Sequence, residues 1–155
     1  VGTQGGMILS PEMWRKFFKP RMAQIIDELR KIRKDLIIAY HSCGTIREII
    51  PDLIEIGVNV LNPIQPKAKD MDMYQIKKEY GDKLTMHCGM DTQDLLPFGT
   101  IEEIETELKK IIKYLAKAGG FIFTASHTIQ PDTSTERIIR MLELLEKYGR
   151  YPLSL

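Results

Sequence analysis

Apolar positions along this chain follow two periods that take turns, one helical and one compact. Ser10-Pro11-Glu12 marks a helix start, with Ser10 placed to accept free N–H groups and Pro11 at a position that needs none. Phe18, Met22, Ile25, Ile26, Leu29 and Ile32 then recur at helical spacing and predict one apolar face of a helix. Pro20 lies inside that pattern and predicts a kink or break near Lys19. Residues 36–40 form a short, β-branched apolar run, which predicts a buried strand ending in His41-Ser42-Cys43-Gly44. A helix is expected over 46–55, stopped by Gly57, and a second strand over 58–62. Pro63, Pro66 and Asp70 mark a loop, followed by a helix over 72–80 that ends at Gly81. A third strand is expected over 84–88 and a loop over 91–100, broken by Pro97 and Gly99. Thr100 and Glu103 form a capping box for a helix whose apolar face runs through Ile104, Leu108, Ile111, Ile112 and Leu115. Gly119-Gly120 end it. A fourth strand follows over 121–125, then a loop over 126–134 and a last helix carrying Ile138, Ile139, Met141, Leu142, Leu144 and Leu145.

A helix followed by four strand–helix units predicts an α/β fold with a parallel sheet covered by helices. Two architectures fit: an open doubly wound sheet, or part of a TIM (β/α)8 barrel. No G-x-G-x-x-G turn follows the first strand. Polar residues gather instead at the C-terminal ends of the strands: His41 and Cys43, then Asn62, then His87, Cys88 and Asp91, then Ser126 and His127. Barrel enzymes collect their chemistry from several strand ends at one rim, so this pattern leans towards the barrel.

The chain has 155 residues, which is one domain's worth, read as a single domain over 1–155. Its 22 Lys and Arg against 21 Asp and Glu argue against a basic nucleic-acid-binding domain. No apolar run reaches the ~18 residues of a membrane span. Two cysteines cannot make a disulfide framework, so a reducing cytoplasm is the expected location. Val1-Gly2-Thr3-Gln4-Gly5-Gly6 has the character of the middle of a protein, and the expectation is a fragment of a longer chain.

The sharpest local feature is His41-x-Cys43. On an extended segment both side chains point the same way, and an imidazole nitrogen with a thiolate sulfur suits zinc. A third ligand must come from another strand end, where His127 and Cys88 are available. Such a zinc would hold a substrate thiol as the nucleophilic thiolate near neutral pH. The alternative is that Cys43 is a small packing residue and the pair binds no metal. His127 follows an apolar strand in a polar loop and is a candidate for catalysis and for substrate contact, or fixes that loop. Asp91, a candidate catalytic group, and Gln93, a candidate substrate contact, either orient a ligand or cap the turn. Asn62 is a further candidate contact.

These motifs, taken together, resemble the uroporphyrinogen decarboxylase superfamily. The likeness is carried by Gly2-Thr3-Gln4, Ser10-Pro11-Glu12-Met13-Trp14, Phe18-Lys19-Pro20, His41-Ser42-Cys43-Gly44 and the run from Gly57 to Pro63. It continues in Gly89-Met90-Asp91-Thr92-Gln93, Leu96-Pro97-Phe98-Gly99-Thr100, Gly119-Gly120-Phe121, His127 and Pro131-Asp132-Thr133. The resemblance implies the C-terminal half of a (β/α)8 barrel. It implies one of two chemistries. The first is zinc-assisted methyl transfer involving a corrinoid and a thiol or other carrier, as in the methylcobamide:coenzyme M methyltransferases and corrinoid demethylases. His41 and Cys43 match the His-x-Cys pair of that branch, and His127 stands where it has a later Cys. The second is decarboxylation of a tetrapyrrole in porphyrin biosynthesis, with only His127 matched. A third reading is a catalytically silent half-barrel. Ser134-Thr135-Glu136-Arg137 departs from the family's Pro-x-Glu-Asn. The implied partners are a small molecule or a corrinoid protein, and either the absent N-terminal half or a second copy in a homodimer, because half a barrel leaves sheet edges and apolar surface open.

Overall fold

The computed structural model describes residues 1–153. Helix α1 (Pro11–Phe17) and helix α2 (Lys19–Ile32) come first, and then the strands begin: β1 (Ala39–His41), β2 (Val60–Asn62), β3 (Thr85–Met90) and β4 (Phe121–Ala125). Between and after them lie α3 (Ile50–Glu55), α4 (Met73–Tyr80), α5 (Leu95–Phe98), α6 (Ile101–Ile111) and α7 (Thr135–Tyr148). The four strands are parallel and lie side by side in chain order, β1-β2-β3-β4. A doubly wound sheet reverses its strand order at a switch point. This sheet has no reversal, so it is an arc of consecutive units of a (β/α)8 barrel.

Strand alternation gives the arc two unlike faces. Tyr40, Leu61, Met86 and Phe121 stand in register on the helix side. There Leu61 and Met86 are fully buried with Trp14, Ile49, Leu53 and Ile76. A second cluster joins Leu96, Ile104, Leu108, Met141 and Leu144 under α6 and α7. Each such aliphatic side chain contributes about 2 kcal/mol by leaving water. His41, Asn62 and His87 alternate to the concave side, where Ile37 and Ile122 remain 72% and 45% exposed.

The capping residues expected at Ser10 and at Thr100 with Glu103 form as read. The break near Lys19 also forms: Phe18 separates two helices, and Pro20 falls in the first turn of α2, where its missing N–H costs nothing. Several features differ from the pattern, among them β2, which begins at Val60 and not Val58, and β3, which runs from Thr85 to Met90 and not from 84 to 88. The first strand begins at Ala39, because Ile38 N–H donates to the side-chain Oδ1 of Asn59 (2.9 Å) in place of a ladder partner. The helix over 46–55 splits into a 3₁₀ turn (Arg47–Ile49) and α3, since Pro51 cannot donate back to the preceding turn. The loop over 91–100 contains the one-turn α5. The apolar stripe of α2 falls on a helix as expected, but most of it is uncovered. Only Ile26 of these is buried, while Ile25, Leu29 and Ile32 are 60%, 39% and 86% exposed, on a helix that precedes the edge strand β1.

The α1–α2 pair is tied to the rest by charge. Asp52 on α3 accepts from Arg15 Nε (2.9 Å) and Lys19 Nζ (2.7 Å), and Lys19 also reaches Glu55 (2.7 Å). Burial of Asp52 pushes its pKa up, but the hydrogen bonds from Lys19 and Arg15 outweigh that and hold it below the usual carboxylate range.

Candidate active site

The C-terminal ends of the strands and the loops that follow them enclose a cavity of about 530 Å³. Cys43 and Gly44 enter it from the turn after β1, Gln65 and Pro66 from the loop after β2, Asp91, Thr92 and Gln93 from the turn after β3, and Ser126, His127, Thr128 and Gln130 from the loop after β4. The N-terminal Gly2-Thr3-Gln4 closes one side. Sequence reasoning selected Cys43, Asp91, Gln93 and His127 from this set. It did not single out Gln65 and Gln130, whose only signal was their place in loops after strand ends, nor Gln4 and Thr92, which it read only as parts of the motifs Gly2-Thr3-Gln4 and Gly89-Met90-Asp91-Thr92-Gln93.

His41 and Cys43 meet. His41 Nε2 stands 3.6 Å from Cys43 Sγ, and His41 Nδ1 stands 2.7 Å from Asn62 Oδ1. The Asn62 amide is oriented by its other end, since Nδ2 donates to the backbone carbonyl of His87 (3.4 Å). Oδ1 is therefore the atom facing His41, so Nδ1 carries the hydrogen and Nε2 presents its lone pair towards the sulfur. Asn62, a candidate substrate contact by sequence, fixes this imidazole. Zinc bonds of about 2.0 Å to nitrogen and 2.3 Å to sulfur, at the tetrahedral angle, set their donors about 3.5 Å apart. The His41–Cys43 pair has the dimension of one such edge.

The remaining residues divide. His127 is exposed and lines the cavity with Cys43, but among the described residues no three His, Cys, Asp or Glu side chains are grouped closely enough to hold a metal ion. Asp91 accepts from the backbone N–H groups of Gln93 (3.2 Å), Asp94 (3.0 Å) and Leu95 (3.0 Å). Both its oxygens hold the turn that presents Thr92 and exposed Gln93 to the cavity, which is the capping role of the two left open by sequence. Cys88 does not join the other sulfur. It shares the helix-facing side of β3 with Met86, has no exposed surface, and burial among apolar side chains pushes its thiol up to about 12. The cavity wall is otherwise neutral. Four glutamine amides and the hydroxyls of Thr3, Thr92, Ser126 and Thr128 face it, and no lysine or arginine lines it among the described residues.

The sequence model of the family described as uroporphyrinogen decarboxylase matches residues 3–148. The chain belongs to the uroporphyrinogen decarboxylase family. A uroporphyrinogen decarboxylase of Coxiella burnetii is 23% identical over 150 residues, covering 95% of this chain and 39% of that protein. One from Legionella pneumophila is 25% identical over 146 residues, covering 94% and 39%. One from Vesicomyosocius okutanii is 28% identical over 80 residues, covering 52% of this chain and 23% of that protein. Among solved structures, a methyltransferase from Methanosarcina mazei superposes with a TM-score of 0.69 at 19% identity, over 92% of this chain and 39% of that one. That likeness carries the barrel architecture of the family onto this arc. The chain thus spans about two fifths of the length of the longer-matching relatives.

Proposed function

We propose that this chain carries the metal-holding rim of a methyl-transferring member of the uroporphyrinogen decarboxylase family. His41 and Cys43 hold zinc, with His127 turning in as third ligand from the cavity that Cys43 lines. When bound, the zinc supplies Lewis acidity that keeps a substrate thiol as its thiolate. The observation that carries this reading is the His41–Cys43 pair itself, at the spacing of a zinc tetrahedron's edge and with the imidazole tautomer fixed by Asn62. Catalytic zinc sites keep three protein ligands and an open position, and the histidine ligand donates its other ring N–H to a neighbouring acceptor, as His41 does.

The cavity wall supports the same choice. Beside Cys43, Asp91 and His127, the lining residues of this arc are mostly amides and hydroxyls, suited to the carboxamide-bearing periphery of a corrinoid. Gln93 and Gln130 serve as contacts to that partner, and the thiol or other methyl carrier sits between Cys43 and His127. Decarboxylation of a tetrapyrrole, with His127 meeting a carboxylate, is the competing outcome.

Elemental analysis of the purified protein tests the reading. About one zinc per chain is expected, lost in Cys43→Ala and His41→Ala and retained in Cys88→Ala. A metal-free protein that binds a carboxylated porphyrin and not a corrinoid would overturn it in favour of decarboxylation. Neither metal nor either macrocycle would leave a catalytically silent half-barrel.

A further inference from the structure

The Cys43 turn is held from behind by a residue on another loop. Gln65, only 8% exposed, accepts at Oε1 from the buried backbone N–H of Gly44 (2.7 Å) and from Gln4 Nε2 (3.4 Å). Gly44 has φ +74°, and a Cβ there would stand 2.5 Å from the carbonyl oxygen of Thr3, so the turn is shaped by close approach of the N-terminal segment. The same three segments are laced by Thr45 N–H to Thr3 O (2.8 Å), Thr45 Oγ1 to Lys69 O (2.6 Å) and Lys69 N–H to Gln4 O (2.9 Å). Most of these bonds join backbone to backbone or end on Thr45. The one side chain from the β2 loop that grips the residue directly after Cys43 is Gln65.

We propose that Gln65 is a positioning residue for the Cys43 sulfur. By accepting the Gly44 N–H it fixes the peptide that follows Cys43 and keeps Sγ on the Nε2 side of His41. With Oε1 engaged, its amide NH₂ is the end left for a ligand in the cavity. This proposal rests on the reading of His41 and Cys43 as metal donors, and it extends that reading to a residue outside the donor set. Asn62 orients the nitrogen donor and Gln65 orients the sulfur donor, and both stand on the β2 strand and its loop.

Two variants separate positioning from bulk structure. Gln65→Leu has a similar size and cannot accept; Gln65→Glu keeps an acceptor oxygen. Co(II) is the probe, because its thiolate charge-transfer absorption reports a Cys–metal bond. Gln65→Leu is expected to weaken Co(II) binding by about 10-fold or more, the usual effect of losing an outer-shell partner, and Gln65→Glu to restore it to within a few-fold. Wild-type affinity in Gln65→Leu, or equal loss in both variants, would overturn the proposal. A second readout does not involve metal. Alkylation of Cys43 by iodoacetamide in metal-free protein should change several-fold in Gln65→Leu and return to the wild-type rate in Gln65→Glu. If the wild type gives no thiolate band with Co(II), the metal reading fails, and the alkylation rates alone decide whether Gln65 positions the sulfur. Unchanged rates sink it.

Discussion

Nδ1 of His41 and Oδ1 of Asn62 lie 2.7 Å apart across two neighbouring strands that pair residue for residue at this point. Strand pairing, and not loop conformation, sets that hydrogen bond, so the tautomer of His41 is built into the sheet. A histidine whose second nitrogen is held by an acceptor is a better and better-aimed donor at the first. Replacing Asn62 with Ala frees the ring to rotate and to exchange tautomers. Zinc affinity, measured by competition with a chromophoric chelator, is expected to fall by about 10- to 100-fold. Asn62→Asp keeps the acceptor and should stay near wild type. Equal zinc affinity in the wild type and Asn62→Ala would remove Asn62 from the site.

The two cysteines should separate cleanly by reactivity. Cys43 lines the cavity and is partly exposed; Cys88 is fully buried, with its thiol pushed up to about 12 by burial. The thiolate is the reacting form, so at pH 8 Cys88 is both protonated and shielded. Metal-free native protein treated with a disulfide reagent should release one equivalent of chromophore quickly, and the second only in denaturant. Two fast equivalents would contradict the placement of Cys88. Cys43→Ser should abolish the fast phase and leave the slow one.

Acid stability supplies a third prediction, away from the site. Asp52 holds α1 and α2 to α3 through Arg15 and Lys19, and its folded pKa lies below its ordinary value. A depressed carboxylate contributes stability that is present above the unfolded value of about 3.9 and is lost as pH falls through the folded value. Urea unfolding between pH 7 and pH 3 should therefore show wild-type stability declining below about pH 4. Asp52→Asn should start lower and decline less steeply. Parallel curves would mean that Asp52 gives nothing to the pH dependence.

Much of the arc was legible in the sequence because its signals are local. Thr100 and Glu103 satisfy each other within one turn, and the apolar period of α6 continues from them. The strands ended in chemistry because only their C-terminal residues turn from the core to the rim. What stayed hidden depends on partners distant in sequence. Asn62 looks like any polar strand end until the sheet register sets it beside His41, 21 residues away. Gln65 has no local signature, and its role exists only because the turn at Gly44 comes within hydrogen-bonding reach. Asp91 could orient a ligand or cap the turn by sequence, and only the fold shows the three backbone N–H groups that it caps. The exposure of the α2 stripe was hidden for another reason: helical period reports that a face is apolar, not that something covers it.

That uncovered stripe leads to the last prediction. Ile25, Leu29 and Ile32 are exposed on α2, and Phe17 and Phe18 at 44% and 45% exposure extend the patch to the α1–α2 junction. Exposed apolar surface drives association, with a free-energy gain that grows with the area removed from water. The chain alone is therefore expected to self-associate in sedimentation velocity, its weight-average mass rising from one chain's 17.9 kDa towards a dimer as concentration increases. Ile25→Lys with Ile32→Lys should shift that distribution back to monomer. Because neither side chain is in the core, the double variant should unfold within about 0.5 kcal/mol of the wild type. A concentration-independent monomer in the wild type would show that the stripe is tolerated in water. Association unchanged by the two lysines would place the contact elsewhere, on the concave face where Ile37 and Ile122 are exposed.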